Sequence, residues 1–331
     1  MDTILDLGIK LIVAFQSLGD WLSTPMKVFS FLGSEEFYLV IMPLLYWCVD
    51  PALGARAGAL SMLSGSIKDF FKLVFHAPRP YWYSTQVRAF STETSFGIPS
   101  GHAQIAISIW GGVAAKLKKR WFWITAGVVI FLISISRLYL GVHFPSDVVV
   151  GWLIGLLLLW VYLKCERPIV DWAKRLSLPL QVLVTFGASV VLILFGVVAR
   201  ASLAGWELPV VWVNNAAAAS PGAEAINPLS ITWAFTNGGL LLGLILGLIL
   251  LYRAGWFDAR GSVGQQVLRF LLGLVGVLLF WRGLDMVFPD GETFLPLCLR
   301  YLRYGLVGFW VSFGAPQVFI RLKLARKPGT S

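Results

Sequence analysis

Nine apolar stretches recur along the chain, at approximately 36–49, 52–75, 102–116, 121–138, 146–163, 179–199, 230–252, 265–287 and 303–320. A hydrocarbon layer offers no water to pair with backbone N–H and C=O groups, so such stretches must be helices that satisfy their own hydrogen bonds, and about 20 residues span the layer. Of the 331 residues, 57% are hydrophobic and only 13% charged, about half the roughly 25% charge of a soluble domain. A water-soluble enzyme and a disordered chain are both excluded. The 15 Trp and 23 Phe suit the interface and the lipid-facing surface of a membrane protein. The sequence predicts an all-α fold, a polytopic membrane helical bundle of about nine transmembrane helices.

A net charge of +10 would suggest nucleic acid in a soluble protein, but here the cations gather at the ends of apolar segments, where they report topology. Lys116, Lys118, Lys119 and Arg120 follow the third stretch, Lys164, Arg167, Lys174 and Arg175 the fifth, Arg253 and Arg260 the seventh, and Arg321, Lys323, Arg326 and Lys327 the ninth. Residues 201–230 hold no Lys or Arg. Basic loops stay inside, so every odd span ends in the cytoplasm and the chain starts outside. Ahead of the first span, Asp2, Asp6 and Lys10 recur every four residues among Ile4, Leu5, Leu7, Leu11, Ile12 and Phe15. That spacing predicts an amphipathic helix lying in the interface, with Trp21 near its end; a short span is the competing reading.

The organisation expected is an amphipathic segment over 1–30, a core of about five spans over 31–170, and a further bundle of about four spans over 171–331. All three histidines lie between residues 50 and 150, which places the chemistry in the core. Gly239, Gly243 and Gly247 put small residues on one face of the seventh span, suited to packing within the chain or to contact in a homodimer. Cys48, Cys165 and Cys298 are too few and too scattered for a disulfide framework. Arg282 and Asp285 are spaced to pair on the eighth span.

Three polar stretches stand at the outer ends of spans, where ionisable groups are costly and so point to function. In the first, Lys72 ends the second span and Pro78 and Pro80 stop the helix, so that Arg79 can fold back toward Lys72 and the two cations can clamp an anion. Asp69 is placed to pair with Lys68 or Lys72, and Tyr81, Trp82 and Tyr83 read as interfacial anchors. Glu35 and Glu36 border the same end without an assignable role, and His76 reads as an exposed loop residue. In the second, Pro99-Ser100-Gly101-His102 opens the third span: Ser100 suits an N-cap, Gly101 admits a ligand to the backbone, and the free amides make an anion site beside His102. In the third, Ser136 and Arg137 precede Gly141, His143, Pro145 and Asp147. Asp147, four residues after His143, can accept one ring N–H, which fixes the tautomer and leaves the other nitrogen nucleophilic.

The alternating topology carries all three stretches to one membrane face. Taken together, Lys72, Arg79-Pro80, then Pro99-Ser100-Gly101-His102, then Ser136-Arg137 with His143 and Asp147 resemble the three-part signature of the type 2 phosphatidate phosphatase superfamily, over roughly residues 34–165. Gly33-Ser-Glu-Glu-Phe-Tyr38 and Trp47-Cys-Val-Asp50-Pro51 look locally like its sphingosine-1-phosphate phosphatase branch. The resemblance implies that His143 attacks phosphorus to form a phosphohistidine supported by Asp147. It implies that His102 protonates the leaving oxygen and then activates water, and that Lys72, Arg79, Ser100, Gly101 and Arg137 hold the phosphoryl oxygens. It implies neither metal nor cofactor, in keeping with a sequence in which no Asp/Glu cluster accompanies the histidines.

The expected partners are membrane lipids and a lipid phosphate or diphosphate substrate, whether phosphatidate-like, a long-chain base phosphate or a polyprenyl diphosphate; nucleic acid is not expected. The absence of an Asn-x-Ser/Thr acceptor agrees with a bacterial plasma membrane, with the site facing outside. Two other readings compete. A vanadate-dependent haloperoxidase shares the signature, but those proteins are soluble. A lipid transporter or scaffold would only recognise head groups, which the intact His143, His102 and Asp147 argue against.

Overall fold

The computed structural model describes residues 2–328, and the side chain of Asp2 lies outside what is described. Among the described residues the regular structure is helical. Helices α1 (Asp2–Gln16), α2 (Ser23–Phe31), α3 (Glu35–Leu44) and α4 (Pro51–Phe75) are followed by the single turn α5 (Pro80–Tyr83). Then come α6 (Gly101–Leu117), α7 (Arg120–Tyr139), α8 (Pro145–Arg175), α9 (Leu178–Ala201) and α10 (Val210–Ala219). Helices α11 (Thr232–Arg253), α12 (Val263–Leu278), α13 (Phe294–Phe309) and α14 (Ala315–Arg321) complete the order.

Among the described residues, α7, α8, α9, α11 and the stretch Val263–Gly283 are long and apolar enough to cross a membrane. The pair Asp20–Phe31 and Glu35–Val49, bent by 45°, makes a sixth if it is one broken span. Other expected spans fall short for visible reasons. Helix α4 carries Arg56, Lys68, Asp69 and Lys72 within its 25 residues. Helix α6 has 17 residues, and a π-helical turn, Trp310–Gly314, separates α13 from α14.

The chain forms two compact units. The first comprises Met1–Tyr38, Ile67–Tyr162 and Val198–Ser230, the second Leu39–Ser66, Leu163–Val197 and Ile231–Ser331. In the second, α11 packs along α13. A Cβ on Gly239 would strike the Tyr301 carbonyl and one on Gly243 the Gly305 carbonyl, so the glycine stripe is used inside the chain, where small residues let backbones approach. The core of this unit gathers Tyr46, Trp47, Leu251, Phe257, Val277, Val307 and Phe319. Gly273 leaves the space that the Trp47 ring fills, and the Trp47 indole N–H donates to the Val311 carbonyl at 2.9 Å. Asp285 pairs with Arg282 at 3.5 Å and also with Arg303.

The first unit is built to hold one end of α6, α7 and α8 together. On α7, Ala126, Ile133, Ser134 and Arg137 are buried while Trp121, Ile124, Val128 and Phe131 are exposed, the three-to-four spacing of a helix with one packed face. On α8, Gly151 lies against the Ser100 carbonyl and Gly155 against the Gln104 carbonyl, where an added Cβ would stand 2.7 and 2.8 Å away. This small-residue seam brings the first turns of α6 and α8 side by side. Helix α1 buries Leu5, Ile9 and Ile12 and exposes Ile4, Leu7 and Leu11.

Candidate active site

Asp147 occupies the first turn of α8, behind Pro145, whose missing N–H costs nothing at that position. Its Oδ2 accepts the Phe144 N–H at 2.8 Å and faces His143 Nδ1 at 3.2 Å. Its backbone carbonyl accepts the Ser100 N–H at 2.9 Å, tying the start of α6 to that of α8. With Nδ1–H donated to Asp147, the lone pair of His143 is on Nε2. That nitrogen meets Arg79 Nη1 at 3.3 Å, and the same Nη1 donates to the Val142 carbonyl at 2.9 Å. His143 is 1% exposed and Asp147 0%. Burial, reinforced by Arg79 and Arg137, pushes the imidazole well below its ordinary range, so the ring is neutral at neutral pH.

The cations converge as the spacing suggests. Lys72 and Arg79 meet on one residue: Lys72 Nζ donates to Ser95 Oγ at 2.7 Å, while Arg79 donates from Nε to the Ser95 carbonyl at 2.6 Å and from Nη2 to Ser95 Oγ at 3.2 Å. Arg137 donates from Nη1 to Ser30 Oγ at 2.5 Å, and its Nη2 is paired with Glu93. The second Glu93 oxygen lies 3.7 Å from Arg79 Nη2. Burial opposes the charge on Glu93, yet the two guanidiniums hold its carboxyl well below the usual range. A cavity of about 500 Å³ opens above these groups, with Lys72, Glu93, Gly101, His102, Arg137 and His143 in its wall.

Ser100 departs from the expected hydroxyl cap, and Gly101, in the cavity wall, has a packing neighbour as well. Ser100 is the residue before the first turn of α6, but its hydroxyl makes no capping bond; among the described residues it is buried without a hydrogen-bond partner. Gly101 leaves room for the aliphatic stem of Lys68, whose Cδ would sit on any added Cβ. Lys68 itself pairs with Glu35 at 2.7 Å and with Asp69 at 3.2 Å.

The aromatic run after Arg79 is a correction. Tyr81 and Trp82 are 1% and 0% exposed, so they are packing residues rather than interfacial anchors. The Tyr81 hydroxyl donates to the Glu93 carbonyl and accepts the Glu93 N–H, both at 3.0 Å. The Trp82 carbonyl accepts from Asn215 Nδ2 at 2.9 Å. His76 is half-buried, edge-on to Phe96 and Trp206. Glu93, Ser95 and Ser30 enter the site without having been singled out by the sequence, while Lys68, expected as a partner of Asp69, pairs with it and reaches the cavity wall as well. A Glu followed two residues later by a Ser in an aperiodic loop carries no signal of its own.

Glu35 and Glu36 also line the cavity. Among the described residues no group of three or more His, Cys, Asp or Glu side chains is placed to hold a metal ion.

Comparison with known proteins gives the family. The family model for the PAP2 superfamily matches residues 54–170, and that for the PAP2 superfamily phosphatase, transmembrane extension, matches residues 235–327. Sphingosine-1-phosphate phosphatase 1 of Rattus norvegicus is 24% identical over 87% of this chain and 69% of its own length. Phosphatidylglycerophosphatase B of Bacillus subtilis (strain 168) is 41% identical over 21% of this chain and 38% of its own. Undecaprenyl-diphosphatase of Sulfolobus acidocaldarius is 44% identical over 19% of this chain and 30% of its own. The PAP2 superfamily model takes in the stretches that carry the histidines, Arg79, Arg137 and Lys72, and the transmembrane-extension model reaches to the last helices. The chain is a multi-pass membrane protein of the PAP2 superfamily, carrying both its phosphatase domain and its transmembrane extension.

Proposed function

We propose that the chain hydrolyses a lipid phosphate or diphosphate by transferring the phosphoryl group to His143. The observation that carries this reading is the buried His143–Asp147 pair, with the free ring nitrogen turned to Arg79 at a cavity that Lys72 and Arg137 also reach. Asp147 accepts the Nδ1 proton and keeps the Nε2 lone pair available. Attack by Nε2 forms the P–N bond as the P–O bond to the lipid breaks, and His102 delivers a proton to the departing oxygen. Water deprotonated by His102 then cleaves the P–N bond and frees phosphate. Lys72, Arg79 and Arg137, with the amide of Gly101 and the unpartnered hydroxyl of Ser100, stabilise the charge on the equatorial oxygens.

The substrate classes we propose are a long-chain base phosphate such as sphingosine 1-phosphate, a phosphatidate-type glycerolipid phosphate or a polyprenyl diphosphate, in line with relatives named for sphingosine 1-phosphate, phosphatidylglycerophosphate and undecaprenyl diphosphate. We place the site at the outer face of a bacterial plasma membrane in a nine-span, outside-start topology, with α1 lying in the interface on its exposed Ile4, Leu7 and Leu11. Residues 31–170 then form the phosphatase core, and 171–331 an additional bundle. The test is phosphate release by the purified protein in EDTA, wild type against His143→Ala, from phosphatidate, sphingosine phosphate and undecaprenyl diphosphate. Release that survives EDTA and is lost in the variant supports a metal-independent histidine phosphatase. No release from any of the three by folded protein overturns it.

A further inference from the structure

Glu93 is the negative charge among the groups that meet at the Arg79 and Arg137 guanidiniums, and it sits where an anionic substrate would have to be received. One carboxylate oxygen is paired with Arg137 Nη2 and the other lies 3.7 Å from Arg79 Nη2. A carboxylate bridging two guanidiniums uses the same directed N–H donors that a phosphoryl group uses. Both arginines are almost fully buried, with Arg79 Nη1 held by the Val142 carbonyl and Arg137 Nη1 by Ser30 Oγ, so the Nη2 groups that face Glu93 are the ones left to meet an incoming anion.

The backbone around Glu93 is fixed on every side. Its N–H and carbonyl are both bonded to the Tyr81 hydroxyl at 3.0 Å. The Thr94 carbonyl accepts the Asn227 N–H at 3.0 Å, and the Ser95 carbonyl accepts Arg79 Nε at 2.6 Å. The loop therefore does not have to open for the carboxylate to leave. Rotation of one side chain, which lines the cavity of about 500 Å³, frees Arg137 Nη2 and uncovers Arg79 Nη2, while Ser95, Val142 and Ser30 keep the two guanidiniums in place.

We infer that Glu93 is a resident anion of the phosphate cradle, which occupies Arg79 and Arg137 when the site is empty and competes with every phosphate that enters. The inference rests on the proposed phosphatase reading and adds a determinant of affinity to it. A competitor tethered in the site weakens each anion by the same factor, the ratio of occupied to open forms. The same factor applies to free inorganic phosphate, the product, which has no lipid chain to add to its binding and so is left the more weakly held. Glu93 would thus speed clearance of the site after each turnover.

The experiment uses the full chain in detergent micelles and inorganic phosphate as the probe, with the dissociation constant measured by isothermal titration calorimetry for wild type and Glu93→Gln. The isosteric amide removes the charge and keeps the volume, and we expect phosphate to bind about tenfold more tightly. Equal or weaker binding to the variant overturns the inference, weaker binding meaning that Glu93 instead organises the arginines. Absence of phosphate binding by both proteins overturns the cradle reading itself, a result distinct from equal binding by both. Should the amide variant fail to fold, Glu93→Asp carries the test. A carboxylate withdrawn by one methylene cannot bridge the two guanidiniums, so tighter phosphate binding is again expected and an unchanged constant overturns the proposal.

Discussion

Replacing His102 by Asn removes the proposed proton donor while leaving His143 and its carboxylate in place. We expect kcat on a lipid phosphate to fall by about 10²–10⁴-fold, and by far less on p-nitrophenyl phosphate, whose leaving group needs no proton; an equal loss on both substrates would contradict the assignment. The pH dependence of stability follows from His143. Its imidazole titrates well below the ordinary value of 6.5 in the folded protein. Below pH about 6.5 the unfolded chain therefore binds a proton that the folded chain does not, and stability falls with decreasing pH, whereas above that pH the contribution is complete. Glu93, held below its ordinary 4.5, acts in the same direction but only below pH about 4.5, where its unfolded carboxylate begins to protonate. Thermal unfolding of wild type and His143→Gln between pH 5 and 8 checks this, the variant losing part of the acid-side slope. The histidine–carboxylate pair was legible in the sequence because its two members are four residues apart at a helix start. Glu93 was not, since Arg137 is 44 residues away and Glu93 lies in an irregular segment before α6 that has no periodicity to align the two.

At the scale of elements, the contact of α6 with α8 sets the site. A methyl at Gly151 would stand 2.7 Å from the Ser100 carbonyl, on the residue whose N–H is held by Asp147. Gly151→Ala should cost about 1–3 kcal/mol from overpacking and lower kcat by more than the stability loss explains. The comparison is unfolding midpoint against turnover at a temperature where both proteins are folded. In the second unit, Gly243→Ala meets the Gly305 carbonyl and should destabilise by a similar amount with little change in KM. Helix existence was readable from apolar length, but the grouping of aromatics was not. Tyr81 and Trp82 have the composition of an interfacial belt, and only the position of Glu93 and Asn215 reveals that they are packed beneath a loop. The span count was similarly open, because α4 and α6 mix apolar length with the polar groups that the site requires.

At the scale of the molecule, sidedness can be checked with a membrane-impermeant maleimide on intact cells. Cys165, exposed and past the midpoint of α8, follows the fifth apolar stretch and should stay unlabelled, whereas Glu224→Cys, in the exposed stretch 221–225, should react. The opposite pattern would turn the active site to the cytoplasm. Membership of the two units alternates along the backbone, changing after residues 38, 66, 162, 197 and 230. The loop that presents Ser95 and Glu93 is braced by partners made late: Asn215 reaches Trp82 across 133 residues of sequence, and the Asn227 N–H reaches the Thr94 carbonyl. At about 5–20 residues per second of synthesis, the ribosome delivers these braces many seconds after the cations and the nucleophile. In the proposed reading the nascent chain thus carries its reacting groups before the loop that holds Glu93 and Ser95 is braced, and the bracing bonds can form only once the segment after α9 has emerged.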